Sequence, residues 1–139
     1  MHFLKSTVAI LTLSSLSTFA QASSLFDDTD WRITAYLSNG GVTANQYTEN
    51  MSVNFNNGQY SGSGVCNSFS GTYNLAPKKK LRFSPPGSTL MACPSTDADK
   101  EERNFLNDWA KVTGYRIEGK NITLINKRGE IVMTLSPIE

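Results

Sequence analysis

Alternation of apolar and polar residues with a period of two is the feature that most constrains how this chain can fold. Two early runs show it, with apolar members Trp31, Ile33, Ala35 and Leu37 in the first and Met51, Val53 and Phe55 in the second. The pattern is typical of β-strands that bury one face and expose the other, and it places Tyr36 on the exposed face. Asn57-Gly58 follows the second run at once and predicts a tight hairpin turn.

Further strands follow the same pattern through the rest of the chain. They are predicted at residues 60–65, 69–75, 81–83, 115–117, 122–124 and 131–135. Proline or glycine residues separate most of them and act as turn signals. These residues are Pro77, Pro85, Pro86, Gly119 and Gly129.

One segment, residues 97–112, breaks this period and predicts a helix. It contains no Gly or Pro, and its apolar residues recur at helical spacing. They are Phe105, Leu106, Trp109 and Val112. Ser95 or Thr96 can cap the N-terminus, and Gly114 beyond the last turn predicts the end. Four acidic residues in the first turns complement the helix dipole. They are Asp97, Asp99, Glu101 and Glu102.

The order of these elements argues against a parallel sheet. Hairpin strands come first, then one helix, then a three-stranded meander, with no αβ alternation. We therefore predict a mainly β protein of the α+β class. The expected architecture is a small curled antiparallel sheet or a partly closed β-barrel of about eight strands, with one helix near residues 97–112 that covers an opening.

The first 22 residues predict a cleavable secretory signal. Met1–Lys5 carries one positive charge, an apolar stretch follows, and Ala20-Gln21-Ala22 offers the small residues that signal peptidase reads. A membrane anchor is the alternative, but the apolar stretch is short and rich in hydroxyls for about 30 Å of hydrocarbon. Cleavage after Ala22 leaves a single domain, residues 23–139. We expect it in the periplasm, with at most a loose association with the outer membrane, or secreted.

Cleavage also limits the chemistry of the mature chain. Of the 13 Lys and Arg residues Lys5 is removed, so 12 remain to balance 12 Asp and Glu, which argues against nucleic acid as a partner. His2, the only histidine, is removed too, which excludes Ser-His-Asp and Cys-His arrangements and leaves a zinc site without imidazole. We therefore predict no catalytic residue, no metal and no cofactor, and so a protein that is not an enzyme.

Cys66 and Cys93 are the only cysteines in the chain. In an oxidising compartment an even, minimal count predicts one disulfide bond, with two free buried thiols as the alternative. The bond would close a loop of about 28 residues, for which chain entropy gives roughly 3.5 kcal/mol of stabilisation.

Two motifs carry a family resemblance. Residues 64–73, GVCNSFSGTY, resemble the G-x-C-N-x-aromatic-x-G-x-Y signature of the META domain family, and residues 89–93, TLMAC, resemble its T-x-M-A-C run. The similarity extends from about Trp31 to Leu135 and is greatest to the bacterial heat-inducible HslJ type. It implies a compact antiparallel β fold with one helix, export to the bacterial envelope and an association with stress. It implies no activity, because the family has no established chemistry to carry over.

The same motifs supply the candidate binding or structural residues. These residues are Gly64, Asn67, Gly71, Tyr73, Thr89 and Met91. Asn67 can present its amide to a ligand, but a hydrogen bond to the backbone in a bend is the favoured interpretation. The strand glycines are predicted at bulges or close approaches. The basic cluster Lys78–Arg82 is a candidate for anionic lipid headgroups or a solvated turn. A third candidate is an exposed aromatic patch of Tyr36, Tyr47 and Tyr60.

Two classes of function remain after these exclusions. The favoured one is a non-enzymatic, stress-related envelope protein that acts as a monomer, without a stable membrane anchor, by binding an unknown partner or ligand. The alternative is an inhibitor of a secreted or periplasmic hydrolase. An inhibitor needs a stiff exposed loop, and Ser84-Pro85-Pro86-Gly87 is the candidate.

Overall fold

Ten β-strands and one α-helix make up residues 25–139, which are the residues that the computed structural model describes. The strands are β1 (Thr29–Ser38), β2 (Gly41–Thr43), β3 (Ser52–Asn56), β4 (Gln59–Ser63), β5 (Ser68–Ala76), β6 (Lys80–Phe83), β7 (Gly87–Ser88), β8 (Gly114–Glu118), β9 (Asn121–Ile125) and β10 (Ile131–Pro137). The helix α1 spans Thr96–Trp109, and a short 3-10 helix spans Thr48–Asn50. The predicted signal, residues 1–22, lies outside the described residues. Within residues 25–139 no helix is long and apolar enough to cross a membrane.

The sheet is antiparallel and closes on itself. In the order β1-β3-β4-β5-β6-β8-β9-β10 each strand pairs with the next, and β10 returns to pair with β1, from Trp31 opposite Pro137 to Tyr36 opposite Met133. The short strands β2 and β7 add to β1 and β5. The predicted mainly β fold with one helix is confirmed. The barrel is fully closed, which leaves its eight strands without a free edge.

The barrel closes most weakly between β6 and β8. Only Lys80 and Gly114 are in register across this seam, next to a hydrogen bond of 3.2 Å from Leu81 N–H to Thr113 O. The first residue of β6 lies opposite the first residue of β8, so the antiparallel register carries the rest of each strand away from the other. A groove therefore runs along the outside of this seam.

The helix packs its apolar face into the barrel interior. The Trp109 indole stacks on Phe83 with ring centroids 4.1 Å apart, and Phe105 meets Phe69 edge-on at 5.3 Å. Both helix residues are fully buried. The other buried aromatic residues are Phe26, Trp31, Tyr36, Phe55, Tyr60, Tyr73 and Tyr115. Because each aromatic side chain buries about 150–250 Å², these rings dominate the energetics of the core.

The helix has the predicted start and an earlier end. The Ser95 hydroxyl accepts a hydrogen bond of 3.0 Å from Ala98 N–H, as an N-cap does. The helix ends at Trp109, whereas the sequence predicts residues 97–112. Gly114 already belongs to β8, so the residues between them must leave the helix to enter the sheet.

A β-bulge in β1 overturns the predicted exposure of Tyr36. The register between β1 and β10 shifts between Ile33 and Ala35. An extra residue in one strand moves all later side chains to the opposite face. As a result Tyr36 and Ser38 point into the core, and Leu37 is only half-buried.

Candidate functional site

The two motifs meet at one end of the barrel, where the disulfide joins them. Cys66 lies in the turn between β4 and β5, and Cys93 lies between β7 and α1. Their Cα atoms are 5.7 Å apart, within the separation that a disulfide needs. Both cysteines of the chain are used in this bond, so the free-thiol alternative is wrong.

Asn67 holds the segment that contains the second motif. Its Oδ1 accepts hydrogen bonds from the Thr89 hydroxyl (2.8 Å) and from Met91 N–H (3.0 Å), and its Nδ2 donates to Met91 O (3.2 Å). The Asn67 backbone carbonyl accepts from Gly64 N–H at 2.8 Å and closes the β4–β5 turn. The side chain is buried, so these bonds are shielded from water.

Glu102 supports the same turn from the helix. Its carboxylate accepts hydrogen bonds from Val65 N–H (3.0 Å) and Cys66 N–H (3.3 Å), and the side chain is 4% exposed. A Cβ on Gly64 would overlap Glu102 Oε1, so glycine at this position lets the carboxylate approach the turn closely. Glu102 is therefore a buried acceptor that braces the disulfide, in addition to its place near the helix start.

Glu101 makes a second buried contact between the helix and the barrel. It accepts hydrogen bonds from the Tyr36 hydroxyl (2.6 Å) and from Ser38 Oγ (2.9 Å). Burial and the hydrogen bond to Glu101 raise the pKa of Tyr36 above its ordinary value, so the phenol stays a donor. Glu101 lies near the helix start, as the sequence indicates, and in addition it joins the helix to the barrel. A helical pattern could have revealed both acids, since they continue the apolar face of Phe105 at spacings of three and four residues.

The predicted exposed tyrosine patch is also wrong. Tyr36 and Tyr60 are each 1% exposed. Tyr60 donates its hydroxyl proton to Ser84 O at 2.8 Å. Tyr47 is half-buried and donates to Asp97 at 3.0 Å. Tyr36 is displaced inward by the bulge, so the three rings share no outer surface.

Gly71 and Tyr73 belong to the barrel wall and interior and do not join the disulfide cluster. A Cβ on Gly71 would overlap the ring end of Tyr60, so glycine permits this close approach. The Tyr73 ring packs edge-on to Phe55 at 5.3 Å inside the barrel. Of the six candidate residues, the structure brings together Gly64, Asn67, Thr89 and Met91.

The segment that this cluster holds ends in two exposed apolar side chains. Leu90 is 95% exposed and Met91 is 68% exposed, whereas no other large apolar residue within the described part of the chain exceeds 47%. We call these two residues the Leu90–Met91 tip. The sequence analysis did not single out Leu90, because an apolar residue in a loop carries no sign of its exposure.

The stiff loop at Ser84-Pro85-Pro86-Gly87 leads directly to the tip. Its Ser84 N–H donates to Thr72 O at 2.9 Å, and Ser84 Oγ accepts from Thr72 N–H at 2.9 Å. Gly87 then enters β7, opposite Ser70 of β5. Residues 84–93 are therefore attached to the barrel at both ends and in the middle.

One group of three potential metal ligands is found within residues 25–139, formed by Cys66, Cys93 and Glu102. Their ligand atoms lie within 4.8 Å of one another. Both sulfurs are already bonded to each other, and a disulfide sulfur is a poor ligand compared with a thiolate. The absence of a metal stays a prediction.

These features define a small closed antiparallel barrel, with a helix packed into its core and a disulfide-braced loop at one end. The family model of the META domain matches residues 23–137, so the chain belongs to the META domain family. No curated protein sequence matches the chain.

Solved structures of low sequence identity share the fold. The NMR structure of a protein from Burkholderia xenovorans is 23% identical, with a TM-score of 0.65, and the match covers 99% of this chain and 97% of that one. The crystal structure of a DUF4847 family protein from Bacteroides vulgatus is 10% identical, with a TM-score of 0.58, over 83% of this chain and 96% of that one. At these identities the likeness concerns the fold alone.

Proposed function

We propose that the chain is a non-enzymatic exported protein of the bacterial envelope that acts in stress by binding a protein partner through the Leu90–Met91 tip. The observation that carries the proposal is the contrast at this tip between free side chains and a fixed backbone. Leu90 is 95% exposed, while Asn67 and the bridge at Cys93 hold the segment on either side of it.

This contrast favours binding on physical grounds. Burying a Leu or Met side chain contributes about 1.5–3 kcal/mol. A loop that is already ordered loses little conformational entropy on association, so more of that gain remains as affinity. Interface residues of this kind are the ones that carry most of the binding energy. The flexible thioether of Met91 adds tolerance for the shape of the partner's pocket.

The other parts of the proposal, which are export, a role in stress and the lack of catalysis, rest on different observations. The signal at residues 1–22 and the Cys66–Cys93 disulfide fit an oxidising compartment. The stress role rests on the resemblance to the HslJ type. The proposal that the protein is not an enzyme rests on two observations. The mature chain lacks histidine, and the carboxylates of Glu101 and Glu102 already accept hydrogen bonds within the protein.

One observation favours the alternative of a hydrolase inhibitor. Residues 84–93 form a continuous stretch that contains two prolines, pairs with β5 through β7 and ends at the disulfide. Inhibitors need such a rigid exposed segment because a flexible one pays an ordering cost on each binding event. In this alternative Leu90 enters the specificity pocket of the hydrolase.

The test is a capture experiment with a matched control. Mature protein is used to capture partners from envelope extract of stressed bacteria, and each partner is then purified and titrated directly. The tip variant is Leu90→Ser with Met91→Ser, and the control is Ile117→Ser with Ile138→Ser, two residues that are each 47% exposed. All four side chains are exposed, so both variants should fold as judged by circular dichroism.

We expect the purified partner to bind wild type and control equally and to bind the tip variant at least about tenfold more weakly. Equal binding by both variants would overturn the proposal. If the partner is a hydrolase and wild-type protein suppresses its activity, the inhibitor alternative is supported. Export is checked by intact mass, which should match a chain that begins at Ser23.

A further inference from the structure

A second surface, separate from the Leu90–Met91 tip, lies beside the weak seam between β6 and β8. A cavity of about 750 Å³ lies along this seam, and a second cavity of about 560 Å³ adjoins the first where the helix ends, at Asp108 and Lys111. Both are lined by Arg82, Thr113, Asn126 and Lys127, so they form one continuous groove. We call it the seam groove. It shares no lining residue with the Leu90–Met91 tip.

The seam groove concentrates positive charge. Seven of the chain's 13 Lys and Arg residues line it, against two carboxylates, Asp108 and Glu130. The seven are Lys78, Lys79, Lys80, Arg82, Lys111, Lys127 and Arg128. The mature chain has balanced charge overall. The positive charge in the groove is therefore a local excess.

These seven cations have no ion-pair partner within the described residues. The two ion pairs found in residues 25–139, Arg103 with Asp99 and Lys120 with Glu139, lie outside the groove. Glu130 accepts a hydrogen bond of 3.0 Å from Asn126 Nδ2. Burial raises the pKa of the Asp108 carboxyl, Lys111 lies near enough to oppose that rise, and the remaining positive charge would be neutralised by a bound anion.

The backbone of the turn before β6 is strained, which a turn that only faces solvent would not need to be. Lys78 and Lys79 have φ angles of 68° and 58°, in the left-handed region that few residues other than Gly and Asn adopt. Two consecutive lysines in this region cost free energy, and such strain is concentrated at binding sites. A turn selected only for tight geometry would use Asn-Gly, as the chain does at Asn57-Gly58.

We propose that the seam groove binds an anionic ligand that carries two or more phosphate groups. Arginine forks and lysine point charges are the donors that phosphate oxygens bind most strongly. One carboxylate or one phosphate would neutralise only a small part of seven cations spread over two cavities. The proposal does not rest on the partner-binding function of the tip.

A phosphate-bearing small molecule or headgroup fits the groove better than a nucleic acid does. Single-stranded nucleic acid needs exposed aromatic side chains on which its bases stack. The aromatic residue that lines the groove, Tyr115, is 2% exposed and turned into the core. Duplex binding needs a broad excess of positive charge, and the mature chain has none.

The test is calorimetric titration of the mature protein with inorganic tripolyphosphate at low salt. The groove variant is Arg82→Gln with Lys127→Gln, the two cations that line both cavities. The matched control is Arg103→Gln with Lys100→Gln on the helix, which removes the same two kinds of charge elsewhere. All four side chains are exposed, so neither variant should lose the fold.

We expect tripolyphosphate to bind wild type and control alike and to bind the groove variant at least about tenfold more weakly. A second arm uses phosphatidylcholine vesicles with and without cardiolipin, a lipid with two phosphates. Cardiolipin-dependent binding that tripolyphosphate displaces assigns the ligand to a headgroup. Tripolyphosphate binding without vesicle binding assigns it to a free phosphate compound.

Three results would overturn the proposal. One is the absence of heat on titration of wild type. Another is equal weakening by the groove variant and the control, which would indicate general charge attraction. The third is tighter binding of an oligonucleotide with the same number of phosphates, which would assign the groove to nucleic acid.

Discussion

Replacing Asn67 with alanine should release the Leu90–Met91 tip while it leaves the barrel intact. The change removes a weak contact of 3.4 Å from Nδ2 to Cys66 Sγ and three stronger side-chain hydrogen bonds, two to Met91 and one to Thr89. At about 0.5–1.5 kcal/mol for each bond, their summed net contribution is roughly 2–4 kcal/mol. Residues 89–91 can move into water once freed, so their polar groups are rehydrated. The free energy of global unfolding should therefore fall by only about 1–2 kcal/mol.

The decisive measurement for Asn67→Ala is native-state hydrogen exchange at Met91. Its amide proton is hydrogen-bonded to Asn67 Oδ1, so its protection should be lost in the variant. Amides of β5 that face β4 should keep theirs. Urea unfolding measures the global effect. Asn74→Ala is the matched control, because Asn74 is an exposed residue of β5, the strand that begins directly after Asn67.

Unchanged protection of Met91 in Asn67→Ala would refute the reasoning, as would a loss equal to that in Asn74→Ala. Asn67→Asp refines the test. It keeps the two bonds that Oδ1 accepts and sets an oxygen against Met91 O in place of the donor. We expect Met91 protection between those of wild type and Asn67→Ala.

Three further predictions concern the bridge, the buried phenols and metal. Cys93→Ser should lower the free energy of unfolding by about 2–4 kcal/mol in urea titration and leave the circular dichroism spectrum β-rich, and wild type should show no free thiol when denatured without reductant. Burial raises the pKa of Tyr36, Tyr73 and Tyr115 above the unfolded value of 10.0, so the stabilisation they give is complete below that pH and is lost as pH rises through their folded values. Urea unfolding from about pH 8 to about pH 11 should show that decline, and flat stability would contradict it. Metal analysis of the oxidised protein should find no stoichiometric zinc, because both sulfurs are in the disulfide.

Local patterns were sufficient for most of the fold. The hairpin at Asn57-Gly58 has the left-handed angles, 54° and 79°, that its sequence predicts. Strand alternation and the Ser95 cap depend on neighbours in the sequence, and both are present. The inward turn of Tyr36 could not be predicted in this way, because the bulge that produces it is set by the pairing of β1 with β10, about 100 residues away along the chain.

The site was less predictable than the fold, for a related reason. Residues 64–73 and 89–93 were identifiable as motifs, but sequence alone does not reveal that Glu102 lies beneath both. An acid near a helix start has an adequate local explanation in the helix dipole. Glu102 accepts hydrogen bonds from Val65 N–H and Cys66 N–H only because the helix packs against the β4–β5 turn.

The placement of these contacts bears on whether the cluster serves folding or binding. Interactions that hold a segment contribute to the fold when the segment buries apolar surface in return. Leu90 buries almost nothing and Met91 little, yet Asn67 holds the Met91 backbone, and Thr89 and the disulfide at Cys93 fix the chain on either side of the tip. A shorter polar loop would join β7 to α1 without two exposed apolar side chains, whose contact with water is unfavourable. These contacts therefore fix the conformation of an apolar surface, which supports the proposal that the tip binds a partner, because a preordered surface loses little conformational entropy on association.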